Sequence, residues 1–106
     1  MTTESLIQNQ IRVGLSRAGH MVFRANVGKV KTADGRYFDT GLPKGFSDLF
    51  GFKPNGQIFF IEVKNEMGRV RPEQKKFMEV MASRGALVGV ARSVEDALKI
   101  VNDTSR

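Results

Sequence analysis

Residues 44–64 read KGFSDLFGFKPNGQIFFIEVK, and the way this stretch pairs with itself decides the fold. Two apolar runs, Leu49-Phe50-Gly51-Phe52 and Gln57-Ile58-Phe59-Phe60-Ile61, flank the turn residues Pro54-Asn55-Gly56. Side chains alternate along a strand, so Ile58, Phe60, Glu62 and Lys64 share one side of the second run. A three-residue loop with a left-handed Gly56 pairs Lys53 with Gln57. Counting back, Phe52 then faces Ile58, Phe50 faces Phe60, and Asp48 lies beside Glu62. A two-residue Asn55-Gly56 loop would shift the register by one and turn Asp48 away. One register therefore gathers Asp48, Glu62 and Lys64 at the same end of a hairpin.

Two adjacent carboxylates repel, and a strand of Ile, Phe and Val is a costly place to ionise either. A hard divalent cation resolves the conflict, because Mg²⁺ prefers oxygen ligands. Lys64 could then neutralise a phosphate or orient a water. The alternative is a Lys64 ion pair with Asp48 or Glu62 at a strand end, with the third group solvated.

The composition narrows the chemistry. The chain has 106 residues, enough for one domain over 1–106 with a modest core. It contains no cysteine, which excludes disulfides, thiolate metal sites and thiol nucleophiles, and its one histidine argues against a zinc centre. Seventeen Lys and Arg against eleven Asp and Glu give a formal charge of +6, which favours a polyanionic partner such as nucleic acid. No apolar run reaches the length of a membrane span, and the first residues lack a signal pattern, so a cytoplasmic location is expected.

Before the hairpin, Thr2 or Thr3 caps a predicted helix from Glu4 to Arg17, with Ile7, Ile11, Leu15 and Ala18 as its apolar stripe. Glu4 borders that stripe, either as a first-turn acid or as a site residue. His20 opens a short strand to Arg24 and reads as a surface or strand-edge residue. From Asn26 to Gly45 the chain is polar and glycine-rich, with Tyr37-Phe38 as a small strand. Arg24, Lys29, Lys31, Arg36 and Lys44 suit phosphate contacts in a mobile basic loop, or form an ordinary solvated surface. The glycines match no nucleotide-phosphate loop.

After the hairpin, Arg69 and Arg71 lie in a short basic connection, and Pro72 starts a helix running to about Arg84. Gln74, Phe77, Met78 and Met81 form its stripe, and Gln74 either reaches the hairpin site or bonds to the helix backbone. Ala86 to Ala91 is a strand, Ser93-Val94-Glu95-Asp96 reads as a capping box, and Asn102 to Arg106 should fray. The expected fold is α/β: a mixed sheet with helices on both faces, the Lys64–Ala86 crossover adding a parallel neighbour.

This ordered set resembles the VRR-Nuc branch of the PD-(D/E)xK nucleases, found as stand-alone phage and bacterial proteins and as domains of repair enzymes. The resemblance rests on Glu4, Lys44-Gly45-Phe46-Ser47-Asp48-Leu49, Ile61-Glu62-Val63-Lys64, Arg71-Pro72-Glu73-Gln74 and the closing Gly85 to Ala97 unit. Ser47 stands where the superfamily name has proline, a position that is not a ligand. The resemblance implies a restriction-endonuclease-like core that hydrolyses DNA phosphodiesters with Mg²⁺, replaceable by Mn²⁺. Asp48, Glu62 and the Val63 carbonyl are the implied metal ligands. Lys64, Gln74 and Glu4 are the implied catalytic groups. Stand-alone members are similar to Holliday-junction resolvases, which implies a homodimer acting on branched DNA, whereas domains embedded in repair enzymes act as monomers on flaps. The implied location is the cytoplasm of a bacterium, as its own protein or a phage's. The rival readings are a DNA-binding module or nuclease subunit without activity, an RNA binder, and a small-molecule metal enzyme. The RNA binder is disfavoured because most phenylalanines are expected to alternate inward, leaving no stacking platform, and the metal enzyme by the positive loops and the lack of an obvious specificity element.

Overall fold

The computed structural model describes residues 2–103. In chain order its elements are α1 (Glu4–Arg17), β1 (Met21–Arg24), β2 (Lys29–Lys31), β3 (Tyr37–Asp39), β4 (Leu49–Phe52), β5 (Ile58–Val63), α2 (Pro72–Ser83), β6 (Leu87–Ala91) and α3 (Val94–Val101). A four-stranded sheet runs in the order β1-β4-β5-β6, and β2 and β3 form a separate two-stranded ribbon. β1, β4 and β5 are antiparallel neighbours, while β6 joins β5 in parallel through the α2 crossover. The mixed sheet is thus as expected, with helices on both sides.

The hairpin register is the one that the Pro54-Asn55-Gly56 loop demands. Phe52 pairs with Ile58 and Phe50 with Phe60. Lys53 N–H donates to the Gln57 carbonyl at 2.9 Å, and Gly56 takes φ +89°, a conformation that glycine enters without strain. One side of the sheet carries Leu49, Phe59, Ile61 and Val63 against Ile7, Ile11 and Leu15 of α1 and Ala97 and Val101 of α3. The other side carries Phe60, which meets Phe77 of α2 and Phe46 of the preceding loop edge-on.

Caps follow side-chain chemistry. The Thr3 hydroxyl accepts from Leu6 N–H, and Ser93 Oγ accepts from Asp96 N–H. The second half of the expected capping box differs: Asp96 Oδ2 accepts from Arg92 N–H, one residue before the cap. Asn102 is the C-cap of α3, and residues 104–106 of the stretch expected to fray lie outside the described residues.

One expectation needs correction. Lys29–Lys31 is a strand, pairing Lys29 with Asp39 and Lys31 with Tyr37, so part of the expected basic loop is a ribbon. Its single apolar residue, Val30, was too little alternation to mark a strand. Most phenylalanines are buried or half-buried as expected, while Phe23, Phe38 and Phe52 are exposed. β1 is an edge strand and α2 packs chiefly against β6 and β5, which leaves Phe23 and Phe52 on that face exposed.

Candidate metal centre and active site

The site is built at the end of the hairpin away from its turn. Asp48 immediately precedes β4, and continuation of the β4–β5 register puts it opposite Glu62. Asp48 Oδ2 accepts from Val63 N–H at 2.9 Å, which fixes this carboxylate against β5. The Asp48 carbonyl accepts from Ala25 N–H at 2.9 Å and anchors the same residue to the end of β1. Gly45 brings the loop ahead of Asp48 onto the start of α2. It has φ +95°, and a Cβ there would run into the Glu73 carbonyl.

Glu62 is the buried centre of the group, 1% exposed. Its Oε1 accepts from Gln74 Nε2 at 3.1 Å and lies 3.9 Å from Lys64 Nζ. Its Oε2 is buried with no hydrogen-bond partner among the described residues. Such a group resists ionisation. Burial, followed by the hydrogen bond that a protonated Glu62 shares with the Asp48 carboxyl and by repulsion from the Asp48 charge, pushes the Glu62 carboxyl up to about 9. Lys64 and Arg71 pull the other way and are outweighed. Without a cation the pair holds a proton, and once ionised Oε2 faces no donor. An oxygen-seeking cation would remove both difficulties, so the donor set fits Mg²⁺ or Mn²⁺. Among the described residues no three or more Asp, Glu, His or Cys side chains gather into a metal cage. The protein offers two carboxylates, and Mg²⁺ commonly completes such a shell with water and substrate phosphate.

Gln74 resolves its two readings by doing both. Its Oε1 accepts from Arg71 N–H at 2.9 Å, capping α2, and this directs its Nε2 at Glu62. Lys64 is buried just past the end of β5 and forms the ion pair with Glu62 that the simpler reading allows. Glu4 sits in the first turn of α1, with its carboxylate over the turn that follows Lys64.

The basic residues divide. Lys44 and Arg71 meet Glu73 at 3.8 and 3.4 Å, beside Gln74. Arg24 ends β1 next to the Asp48 anchor, and Arg69 lies in the exposed connection to α2. Lys29, Lys31 and Arg36 belong to the separate ribbon segment, where Arg36 pairs with Asp34 at 3.4 Å. His20 packs edge-on against Phe59 near the opposite end of the sheet, too far along the register to serve the carboxylates.

Three residues near the site had no role assigned from the sequence. Ser47 is fully buried with its hydroxyl unpartnered among the described residues. Arg92 donates from Nη1 to the carbonyls of Asn65 and Gly68, at 2.9 Å for Gly68. Gly68 lies under Glu4. Only the Asn65-x-x-Gly68 turn spacing hinted at any of them. Among the described residues no helix is long and apolar enough to cross a membrane.

Comparison with known proteins agrees with this architecture. Residues 5–95 match the VRR-NUC domain family. A solved structure described as a VRR_NUC domain is similar at 27% identity and a TM-score of 0.68, over 98% of this chain and 99% of that one. No curated protein matches the chain. With the mixed sheet and its flanking helices, the match over residues 5–95 places this chain in the VRR-NUC family of nucleases, with the PD-(D/E)xK architecture.

Proposed function

We propose that this protein is a metal-dependent DNA endonuclease acting on branched DNA. The observation that carries the reading is the buried Glu62 carboxyl, held beside Asp48 and within 3.9 Å of Lys64, with one oxygen lacking a partner. Asp48, Glu62 and the Val63 carbonyl would hold one Mg²⁺ or Mn²⁺. When bound, the cation supplies Lewis-acid stabilisation of charge developing on the phosphate. The remaining work falls to the chain. Gln74 keeps Glu62 oriented, and the Val63 N–H keeps Asp48 oriented. Lys64 would present its ammonium to a water or a phosphate oxygen, and Glu4 would add a carboxylate from beside Gly68.

Arg24, Lys44, Arg69 and Arg71 lie on the segments that carry or adjoin Asp48, Lys64 and Gln74, and are the proposed phosphate contacts nearest the chemistry. Lys29, Lys31 and Arg36 would engage the duplex further away, through the ribbon. Met21, Phe23 and Phe52 are exposed on the uncovered part of the sheet. A second copy that buried them would give a two-fold dimer with two sites for a four-way junction. A bacterial cytoplasm, as host or source, suits the absence of cysteine.

The test is cleavage of a four-way junction, a flap and a linear duplex in Mg²⁺, with Asp48→Asn in parallel. The proposal expects metal-dependent cutting of branched DNA by the wild type and none by the variant. Binding without cutting in Mg²⁺ or Mn²⁺ would leave the DNA-binding module as the better account.

A further inference from the structure

The turn that follows Lys64 is fastened from two directions. Asn65 Oδ1 accepts from Met67 N–H at 3.0 Å and Gly68 N–H at 2.8 Å, which closes the turn on itself. Arg92 then reaches across from the end of β6 and donates to carbonyls at both ends of the turn. From the other side, Glu66 Oε1 accepts from Thr2 N–H at 3.1 Å, tying the turn to the start of α1. Glu4 is two residues further on, so this tie also sets where its carboxylate can lie.

Gly68 is the residue on which these restraints converge. Its φ lies outside the left-handed region, so its backbone would accept any side chain. The need for glycine there is one of space. A Cβ at position 68 would lie 2.7 Å from Glu4 Oε2, 3.1 Å from Lys64 Cδ and 3.3 Å from Lys64 Cβ. The other described glycines with an ordinary φ and a close neighbour serve packing instead. Gly14 makes room for Val94, Gly89 for Ile100, and Gly51 for the Met21 carbonyl and the Phe59 ring. Only at Gly68, among the described glycines, are both neighbours candidate site residues.

We propose that Gly68 is a positioning residue whose missing side chain lets the Glu4 carboxylate lie against the Lys64 stem, joining α1 to the carboxylate–lysine site. The proposal rests on the nuclease reading above. It makes a distinctive demand on the Gly68→Ala variant. The added methyl meets the far end of a flexible glutamate, which can swing aside at little cost to folding. Lys64 must yield by only a few tenths of an ångström, since 3.1–3.3 Å is just inside ordinary carbon contact. Folding should survive while the site loses Glu4.

The experiment is a double-mutant cycle of Gly68→Ala with Glu4→Ala, read in two ways. One reading is Mn²⁺ affinity of the protein without DNA. The other is single-turnover cleavage of a four-way junction, with melting and junction affinity followed alongside. Gly68→Ala should keep wild-type melting and junction affinity yet lose roughly 10- to 100-fold in cleavage rate, the usual scale for outer-shell groups of a metal site. Its Mn²⁺ affinity should fall as far as that of Glu4→Ala, and the double variant should be no worse than either single one. Additive losses, or wild-type behaviour of Gly68→Ala in both readings, would overturn the proposal. A fall in melting temperature that accounts for the cleavage loss would make Gly68 a structural residue and overturn it too. If the wild type neither binds Mn²⁺ nor cleaves, it is the nuclease reading itself that has failed.

Discussion

Replacing Glu62 with Gln should abolish a large pH dependence in the stability of the metal-free protein. The Glu62 carboxyl rises from 4.5 to about 9 on folding, chiefly because it is buried beside Asp48. The folded state therefore keeps a proton that the unfolded chain releases. An acid whose pKa is raised in this way stabilises fully below pH 4.5, and its contribution is lost progressively as pH rises toward 9. Each pH unit in that window costs about 1.4 kcal/mol, so the loss from pH 4.5 to 7 is about 3 kcal/mol. That is a sizeable part of the 5–15 kcal/mol typical of a small domain, and roughly 10–20 °C in melting temperature. His20 works in the opposite direction, because burial and Lys53 lower its pKa and stability falls as pH drops through 6.5. This contribution is common to both proteins and cancels when Glu62→Gln is subtracted from wild type. The assay is thermal or urea unfolding in EDTA at half-unit steps from pH 4.5 to 8.5. Wild type should lose ground steadily against the glutamine variant, and saturating Mg²⁺ should restore it at high pH by favouring the ionised pair. Parallel curves in EDTA would mean that Glu62 ionises freely in the fold, and the reasoning about the paired carboxyls would be wrong.

Lys64→Ala should leave junction affinity, measured by fluorescence anisotropy, within about threefold of wild type while cleavage falls by at least about 10²-fold. Equal losses in both would make Lys64 a purely electrostatic or packing residue. Ser47→Ala removes a buried, unpartnered hydroxyl and should stabilise the fold by about 1 kcal/mol, seen as a higher urea midpoint at unchanged slope. Destabilisation would mean that the hydroxyl has a partner such as ordered water. Gly45→Ala faces a left-handed φ and the Glu73 backbone at once, and should cost more than about 2 kcal/mol on chemical unfolding. A neutral result would show that the loop can leave α2 without consequence.

The hairpin and the grouping of Asp48, Glu62 and Lys64 at its end were legible because one short turn carries much information. Pro54-Asn55-Gly56 set the register, the register set the neighbours of Asp48, and alternation put Glu62 and Lys64 on one side. The helices were equally readable, since Thr3, Pro72 and Ser93 mark their starts by local chemistry. What escaped depends on contacts between residues far apart in the chain. Gly68 looks like a turn residue until Glu4, 64 positions earlier, is folded over it. Arg92 looks like a solvated charge until its guanidinium meets the turn 65–68. Exposure of Phe23 and Phe52 follows from the length and placement of α2, which their own alternation does not encode. Strand β2 lacks the apolar periodicity that announces a strand, because its ribbon does not rest on the main core, whereas Tyr37-Phe38 marked β3.

The most direct measurement is a crystal structure of the protein soaked in Mn²⁺, with the ion located by its anomalous scattering. We expect one peak between the Asp48 and Glu62 carboxylates, about 2.0–2.2 Å from an oxygen of each and within reach of the Val63 carbonyl. A fully soaked crystal with no ion there, or with Mn²⁺ bound only at other carboxylates, would contradict the assignment of these residues to a metal centre.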